Sequence, residues 1–389
     1  MTSQNLRHFR VFLAVARTSS LTQAAELSFV SQPAVTQAIE KLEREAAGPL
    51  FERTPQGFFL TERGKVLEFR IRRAFLRLDA AMEDISSRLK MTATWAQLKA
   101  LISVAETQNF TLAARRLGLA QPTIHRAVGR IEAEAATDLF QRSAFGLVAT
   151  RQCRELAQAA RLAFAEIDQA QADLAEFEGR EAGNIVVGAL PLSRSAILPD
   201  ALIRYREQRP NQLLTIIDGL YDDLLNGVRT GEVDFMIGAL RDPIPIGDIV
   251  QEELFLDRMS VLVRPDHPLH VSGNTTAERL SKSSWVVPRA GTPARAQFDS
   301  YFWGQGIEPP DSIIECGSVL LMRELLQGSD MLGCISERQA QAEVDKGLLA
   351  KIDVGVDFGG RPIGLTYRKD WVPTKGQNLL LELIRGAAG

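Results

Sequence analysis

The stretch "SQPAVTQAIEKLE", residues 31–43, returns as "AQPTIHRAVGRIE" at residues 120–132. In both versions Gln-Pro follows a small residue, and an apolar residue, Val35 or Ile124, sits two places past the proline. A further apolar pair, Ile39 and Leu42 or Val128 and Ile131, follows, and Glu closes both. This spacing puts the apolar residues on one helix face, and proline is tolerated in a first helical turn. The offset is 89 residues, and it holds far beyond this stretch. Val15-Ala16 maps onto Val104-Ala105, Ala24-Ala25 onto Ala113-Ala114, Leu50-Phe51 onto Leu139-Phe140, Gly57 onto Gly146 and Thr61 onto Thr150. Register kept this long predicts a duplicated unit.

Within the first copy, Phe9, Phe12, Leu13 and Ala16 mark one face of a first helix. Ser20 is placed to cap a short second helix, and Ser31 a third that begins with Gln32 and Pro33. Two short helices joined by a tight turn describe a helix-turn-helix whose later helix reads DNA. The segment "FERTPQGFFLT", residues 51–61, follows as a two-stranded wing with Arg53 at its base, within reach of a phosphate. Ile39 and Leu42 belong to the core. On the other face, Ser31, Gln32, Thr36, Gln37 and Lys41 offer the hydrogen-bonding groups that read base edges and hold phosphates. The second copy offers Gln121, Thr123, His125, Arg126 and Arg130, whose alternative role is a solvated face on a dimerisation scaffold.

Each unit is followed by a long segment without Pro, residues 65–90 and 151–180, and without Gly apart from Gly179. Leu67, Ile71, Phe75, Leu78 and Met82 recur at helical spacing. Such a helix shows no intramolecular partner in sequence, so it is expected to pack against another chain or to remain a solvated spacer.

A chain of 389 residues with 45% hydrophobic and 24% charged residues is ordinary for a globular protein of several domains. No apolar run reaches membrane-spanning length, and the start carries no secretory apolar segment, so a cytoplasmic location without membrane contact is expected. Cys153, Cys316 and Cys334 form neither a metal pattern nor a paired framework, and neither metal nor cofactor is expected. The net charge of −3 is uneven: residues 1–90 carry +4 and residues 91–182 carry −1. On that basis the first copy is expected to supply most DNA affinity.

From Ile185 strands and helices alternate. "NIVVGALP", "LLTIIDG" and "VDFMIGAL" read as buried strands, with helices at 193–209 and 223–230 between them. A second set follows in "SWVVP", "SIIECGS" and "DMLGCIS", with helices near 295–303, 319–327 and 337–346. Such alternation predicts parallel sheets flanked by helices, in two lobes at 183–258 with 369–389 and at 259–368. Ligands of such sheets sit beyond the carboxyl ends of the strands, near helix N-termini that attract anions. Candidate ligand contacts there are Ser193, Arg194, Ser195, Gly238, Ala239, Thr292 and Ser318, with Arg241, Arg289 and Arg295 as further partners for a carboxylate. The serines are equally suited to cap helices.

The residues at 12–64 resemble the LysR-type transcriptional regulators. The resemblance rests on Ala24-Ala25, Ser31-Gln32-Pro33-Ala34-Val35, Leu42-Glu43, Leu50-Phe51-Glu52-Arg53 and Leu60-Thr61. In the C-terminal half "RTGEVDFMIG", "VRPDHPL" and "LLQGSDMLGCIS" are similar to stretches of that family's effector domain. The resemblance implies a multidomain fold: winged helix-turn-helix units at 1–64 and 92–150, linker helices at 65–91 and 151–182, and a two-lobed α/β domain like the periplasmic solute-binding proteins. It implies a regulator that binds double-stranded DNA, a small-molecule effector and RNA polymerase, as a homodimer or homotetramer. The family usually has one DNA-binding unit, and here there are two. Ser28 stands where the family usually has Leu, Gly64 becomes Cys153 in the second copy, and Leu60-Thr61 becomes Ala149-Thr150.

Two rival readings remain open here. A redox-sensing regulator would act through Cys316 and Cys334. A solute-binding protein would use the helical units for dimerisation only. An enzyme is not expected: His8, His125, His267 and His270 meet no nucleophile, metal or phosphate-loop motif.

Overall fold

A computed structural model describes residues 4–143, 146–273, 275–355 and 358–389. The first residues of the first unit and the tip of the second wing lie outside them. The chain divides into two compact units, Met1–Gly183 and Asn184–Gly389.

The first unit contains the duplication. Its first half is α1 (Leu6–Thr18), α2 (Leu21–Leu27), α3 (Gln32–Glu45), the hairpin β1 (Phe51–Thr54) and β2 (Gly57–Leu60), α4 (Glu62–Glu83) and a short α5 (Leu89–Thr92). Its second half is α6 (Trp95–Thr107), α7 (Phe110–Leu117), α8 (Gln121–Ala135), β3 (Phe140–Ser143), β4 (Gly146–Ala149) and α9 (Arg151–Ala175). Apart from α5, every element of the first half begins 89 residues before its copy. The caps repeat as well: Asn5, Ser20 and Thr61 accept first-turn amides in one half, and Thr94, Asn109 and Thr150 in the other.

The Glu that closes both repeats has a structural job. Glu43 Oε1 accepts the amides of Leu50 and Phe51 at 2.9 and 3.3 Å, and Glu132 Oε1 accepts those of Leu139 and Phe140 at the same distances. Each carboxylate ties the end of its reading helix to the start of the wing. Gly64 is required by packing, because a Cβ there would lie 2.1 Å from the carbonyl oxygen of Leu50. Its counterpart Cys153 is buried without that restriction.

The linker helices depart from expectation. They find their partner inside the chain, because α4 and α9 pack against each other. Leu67, Ile71, Phe75 and Leu78 share one core with Leu156, Ala160, Phe164, Ile167 and Leu174. Both apolar stripes are thereby covered, and the alanines of α9 allow close approach. Arg70, 2% exposed, donates from Nε to Asp173 at 2.8 Å and from Nη1 to Gln169 at 2.9 Å and Glu166 at 3.1 Å. The helices are also shorter than the uninterrupted segments suggested: α4 stops at Glu83, and α9 gives way to a 3-10 turn at Glu176–Glu178.

The second unit is built of two lobes with matching topology. Lobe one contains β5 (Asn184–Ala189), α10 (Pro191–Ala196), α11 (Leu198–Gln208), β6 (Leu213–Ile217), α12 (Tyr221–Thr230), β7 (Phe235–Ala239) and β8 (Ile249–Asp257). The chain crosses as β9 (Met259–Val263) into lobe two, which adds α13 (Pro268–Ser272), α14 (Ala277–Ser281), β10 (Trp285–Val287), α15 (Pro293–Gly304), β11 (Ile313–Glu315), α16 (Val319–Gln327), β12 (Leu332–Ser336), α17 (Glu337–Asp345) and β13 (Ala350–Ile352). It returns as β14 (Arg361–Arg368) and ends in α18 (Lys375–Ala388). Sheet orders are β6-β5-β7-β14-β8 and β11-β10-β12-β9-β13.

Three expectations are corrected here. The sheets are mixed: β5, β6 and β7 run parallel, as do β10, β11 and β12, but the crossing strands β14 and β9 run antiparallel to both their neighbours. The boundary at 368/369 is misplaced, because β14 hydrogen-bonds to β7 and β8 and so belongs to lobe one from Arg361. The helix expected at 193–209 is interrupted at Ile197, between α10 and α11.

Candidate nucleic-acid interface and ligand cleft

On α3, Val35, Ala38, Ile39 and Leu42 face the core, while Ser31, Gln32, Pro33, Gln37 and Lys41 are exposed. Thr36 is half-buried and donates back to the carbonyl of Gln32 at 3.3 Å. Ser31 occupies the N-cap position, yet its side chain makes no capping hydrogen bond. The expectation that Ser31 caps the helix with its hydroxyl therefore fails. A first helical turn with unpaired amides and an uncapped hydroxyl can hold an anion. Arg53 is exposed on β1, with a long 3.8 Å contact to Glu43 and its guanidinium 5.9 Å from the Phe58 ring.

The second reader keeps this outline with different chemistry. Ile124, Val128 and Ile131 face inward, and Gln121, Thr123, His125, Arg126 and Arg130 are exposed. The His125 ring stacks on Phe110 with centroids 3.7 Å apart, which holds the imidazole against α7. The wings differ too. Gly57 has φ +134° and lies so close to the α1–α2 turn that a Cβ would sit 2.4 Å from the Ser19 carbonyl oxygen, whereas a Cβ at Gly146 meets nothing within 4 Å among the described residues.

The charge argument for the first copy changes once positions are known. Residues 21–45, from α2 through α3, carry two Lys/Arg against four Asp/Glu, and the equivalent 110–134 carry four against two. The first copy's surplus lies largely on α4, where Arg70 and Arg73 pair with α9 and Arg63 bonds to the carbonyl of Ala46 and to Glu178. The second reading surface is therefore the more cationic. Arg115 on α7 and Arg142 on β3 are exposed cations beside it that the sequence reading passed over.

In the second unit, each lobe places its first parallel strand between the next two, so strand order reverses at β5 and at β10. Clefts in open α/β sheets form beyond the carboxyl ends of strands at such points. Pro191–Ser195 follow β5, Gly238 and Ala239 end β7, Thr292 starts α15 beyond β10, and Gly317-Ser318 follow β11. These positions thus occur at the strand ends expected of them, but their side chains are unequal. Ser193 is fully buried, and its hydroxyl serves the carbonyls of Leu190 and Ile237 at 2.8 and 3.3 Å, so it cannot donate to a ligand while those bonds stand. Ser195 donates to Leu192, and Thr292 and Ser318 cap α15 and α16. Gly238 is fixed by packing, since a Cβ would meet Leu190 at 2.5 Å. Arg194 lies 3.3 Å from Asp218, and Arg295 is engaged by Asp299 and Glu315 at 2.8 and 2.7 Å. Arg289 is exposed, and Arg241 stacks on Tyr221 at 4.4 Å.

Where the strands cross between lobes, buried Asp257 accepts from Ser336 and from Arg361, each at 2.7 Å. This joins the end of β8, the end of β12 and the start of β14. Close by, α10 packs against α17, so the lobes touch.

The cysteine-based rival loses its physical footing. Cys316 and Cys334 belong to different core clusters of lobe two. Burial pushes the Cys334 thiol up to about 12, far from the thiolate that peroxide chemistry requires. His267 is likewise committed: its Nδ1 accepts the amide of Leu269 at 3.1 Å, and its Nε2 lies 3.1 Å from the carbonyl of Asp330.

A winged helix-turn-helix unit followed by a two-lobed α/β unit with clefts at its strand ends defines a ligand-responsive, DNA-binding regulator. The chain belongs to the LysR family of transcriptional regulators: the profile "Bacterial regulatory helix-turn-helix protein, lysR family" matches twice, at residues 6–65 and 95–154, and "LysR substrate binding domain" matches residues 178–389. It is 34% identical over 384 residues to the HTH-type transcriptional regulator GalR of Pseudomonas putida, covering 98% of this chain and 96% of that one. It is 26% identical to PcaQ of Agrobacterium fabrum, but over 75% of this chain and 94% of that one. Among solved structures, a full-length OxyR variant from Pseudomonas aeruginosa shares the fold, with a TM-score of 0.53, 22% identity, and coverage of 75% of this chain and 98% of that one. The regulator CbnR in complex with its target DNA gives 0.50 and 21%, over 75% of this chain and 99% of that one.

Proposed function

We propose that α3 reads operator bases through Gln32 and Gln37, with Ser31, Thr36, Lys41 and Arg53 holding phosphates, and that α8 reads through Gln121, Thr123, His125, Arg126 and Arg130. The observation that carries this reading is the exposure of all of these side chains but Thr36, Arg53 on the wing and the rest along the polar faces or at the starts of two helices whose apolar faces are buried. Pro33 sets the start of the first reader and contributes no donor. Footprinting of promoter DNA with the full chain tests it. Gln32→Ala should lose discrimination of about 1–3 kcal/mol at one base pair if its contact is bidentate. Unchanged operator preference in that variant would remove Gln32 from the set.

The effector of this regulator is proposed to be a small carboxylate held between the lobes, with Arg194, Arg289 or Arg241 as counter-charge and the N-termini of α15 and α16 as amide donors. The position of these helix starts beyond the carboxyl ends of the strands supports this, as does the coupling of both lobes through Asp257. A thermal-shift screen of the full chain against small carboxylates tests it, because binding raises apparent stability. Ser318→Trp should abolish any shift, and a shift of normal size in that variant places the ligand elsewhere. Operator binding is proposed to be transmitted to RNA polymerase, in the cytoplasm, without catalysis. A homodimer or homotetramer is supported by the edge strand β6 of one sheet, which exposes Leu213, Ile216 and Ile217, and by the edge strand β11 of the other sheet with α16, which expose Ile314, Leu320 and Leu321.

A further inference from the structure

The copy offset and the packing of α4 on α9 together define a symmetry. Arg63 meets Glu178, whose equivalent in the first copy is Leu89. Arg70 meets Glu166 and Asp173, the equivalents of Arg77 and Asp84. Gln152, the equivalent of Arg63, donates to the carbonyl of Asp84. One helix therefore descends as the other ascends, about a midpoint at Phe75 and its own equivalent Phe164, both in the shared core. This is the contact pattern of an isologous two-fold dimer, formed here by two halves of one chain.

The charges are not symmetric. Residues 69–89 carry five arginines and three acidic residues, and the equivalent 158–178 carry one arginine and five acidic residues. In a pair of α4 helices from two chains, Arg70 would keep an acidic partner in Asp84, but Arg70 and Arg73 would face Arg77 where they now meet Glu166. In a pair of α9 helices, Glu166 and Asp173 would face Ala159 where they now meet Arg70. A buried guanidinium needs its carboxylates, so the charges favour the unlike pair over either like pair. The tether adds effective concentration to that preference.

Two identical chains must present identical readers and so bind matching half-sites. A pair closed within one chain is free of that constraint, and the readers have diverged. Gln32 and Gln121 agree, and Lys41 and Arg130 keep a cation, but Ala34, Thr36, Gln37 and Glu40 are replaced by Thr123, His125, Arg126 and Gly129. Glutamine pairs with adenine edges, and arginine with guanine O6 and N7. We propose that a single chain is a complete two-headed reader of an asymmetric operator unit, made of two unlike half-sites, with guanine read by Arg126 in the half-site under α8. This rests on the proposal that both α3 and α8 contact DNA.

Selection of bound duplexes from a random library, using the full chain, tests it. The wild type should enrich two unlike elements at fixed spacing and order. Gln37→Ala should flatten preference in one element and Arg126→Ala in the other, each on the order of tenfold or more at the affected base pair. Both residues are exposed, and unchanged thermal melting of the variants checks that the heads remain folded. A motif built from one kind of element, relaxed throughout by Gln37→Ala and untouched by Arg126→Ala, would overturn the inference while leaving α3 as a reader. Variants that relax the same positions would overturn it as well. Absence of any enriched motif would sink the DNA-reading proposal itself, and this inference with it.

Discussion

Arg53 and Gln32 separate two kinds of contact at the scale of single residues. Arg53 is exposed and only loosely held by Glu43, so it is available to a phosphate. Arg53→Ala should weaken all DNA sequences alike and lower the slope of log affinity against log salt by about one contact, which a salt titration measures. Gln32→Ala should leave that slope nearly intact. Gly64 makes a different point. A methyl group there would collide with the Leu50 backbone, so Gly64→Ala should destabilise the first head by on the order of 1–3 kcal/mol. Cys153→Ala, at the equivalent site, should leave the second head folded. Paired thermal melts of the full chain distinguish the two.

The α4–α9 pair decides the stability of the DNA-binding unit among its elements. Arg70 is held at three acceptors from one helix, and removing it leaves Asp173 without the cation that pairs with it, while Glu166 keeps Arg73. Burial already pushes the Asp173 carboxyl above its ordinary range, against the pull of Arg70. Arg70→Ala should cost about 3–5 kcal/mol, the cost of breaking a buried pair from one side. Adding Asp173→Asn to that variant should restore part of the loss, because the orphaned charge disappears. Denaturant unfolding of the three proteins tests it, and a double variant no better than the single one would show that packing, not charge, is what was lost.

For the whole molecule, the C-terminal unit should show an acid-sensitive component. Glu252 on β8 accepts from Arg385 on α18 at 2.7 and 2.9 Å and from Tyr367 at 3.2 Å. The hydrogen bonds from Arg385 hold its carboxyl below the ordinary value of 4.5. A lowered folded-state value gives stability that is fully present above the unfolded value and is lost as pH falls through the folded one. The pair is partly exposed, so its worth is roughly 0.5–1 kcal/mol after screening. The melting difference between wild type and Glu252→Gln should therefore be constant near neutrality and vanish as pH falls below 4.5. A difference that persists in acid would assign the effect to packing.

Much was legible in the sequence because it is local or periodic. The 89-residue offset, the inward faces of α3 and α8, the cap at Ser20 and the alternation of strand and helix after Ile185 all follow from spacing and composition. What needed the tertiary structure was every choice of partner. The stripe of α4 is visible in sequence, but no periodicity says that α9 of the same chain covers it, because contacts nearly a hundred residues apart leave no local trace. The charge of the first copy illustrates this: its excess of arginine reads as DNA affinity in sequence, and in space Arg70 and Arg73 hold α9. The antiparallel return of β14, the burial of Ser193 and the bare hydroxyl of Ser31 were decided in the same way, by neighbours distant in the chain or by the geometry of a helix end.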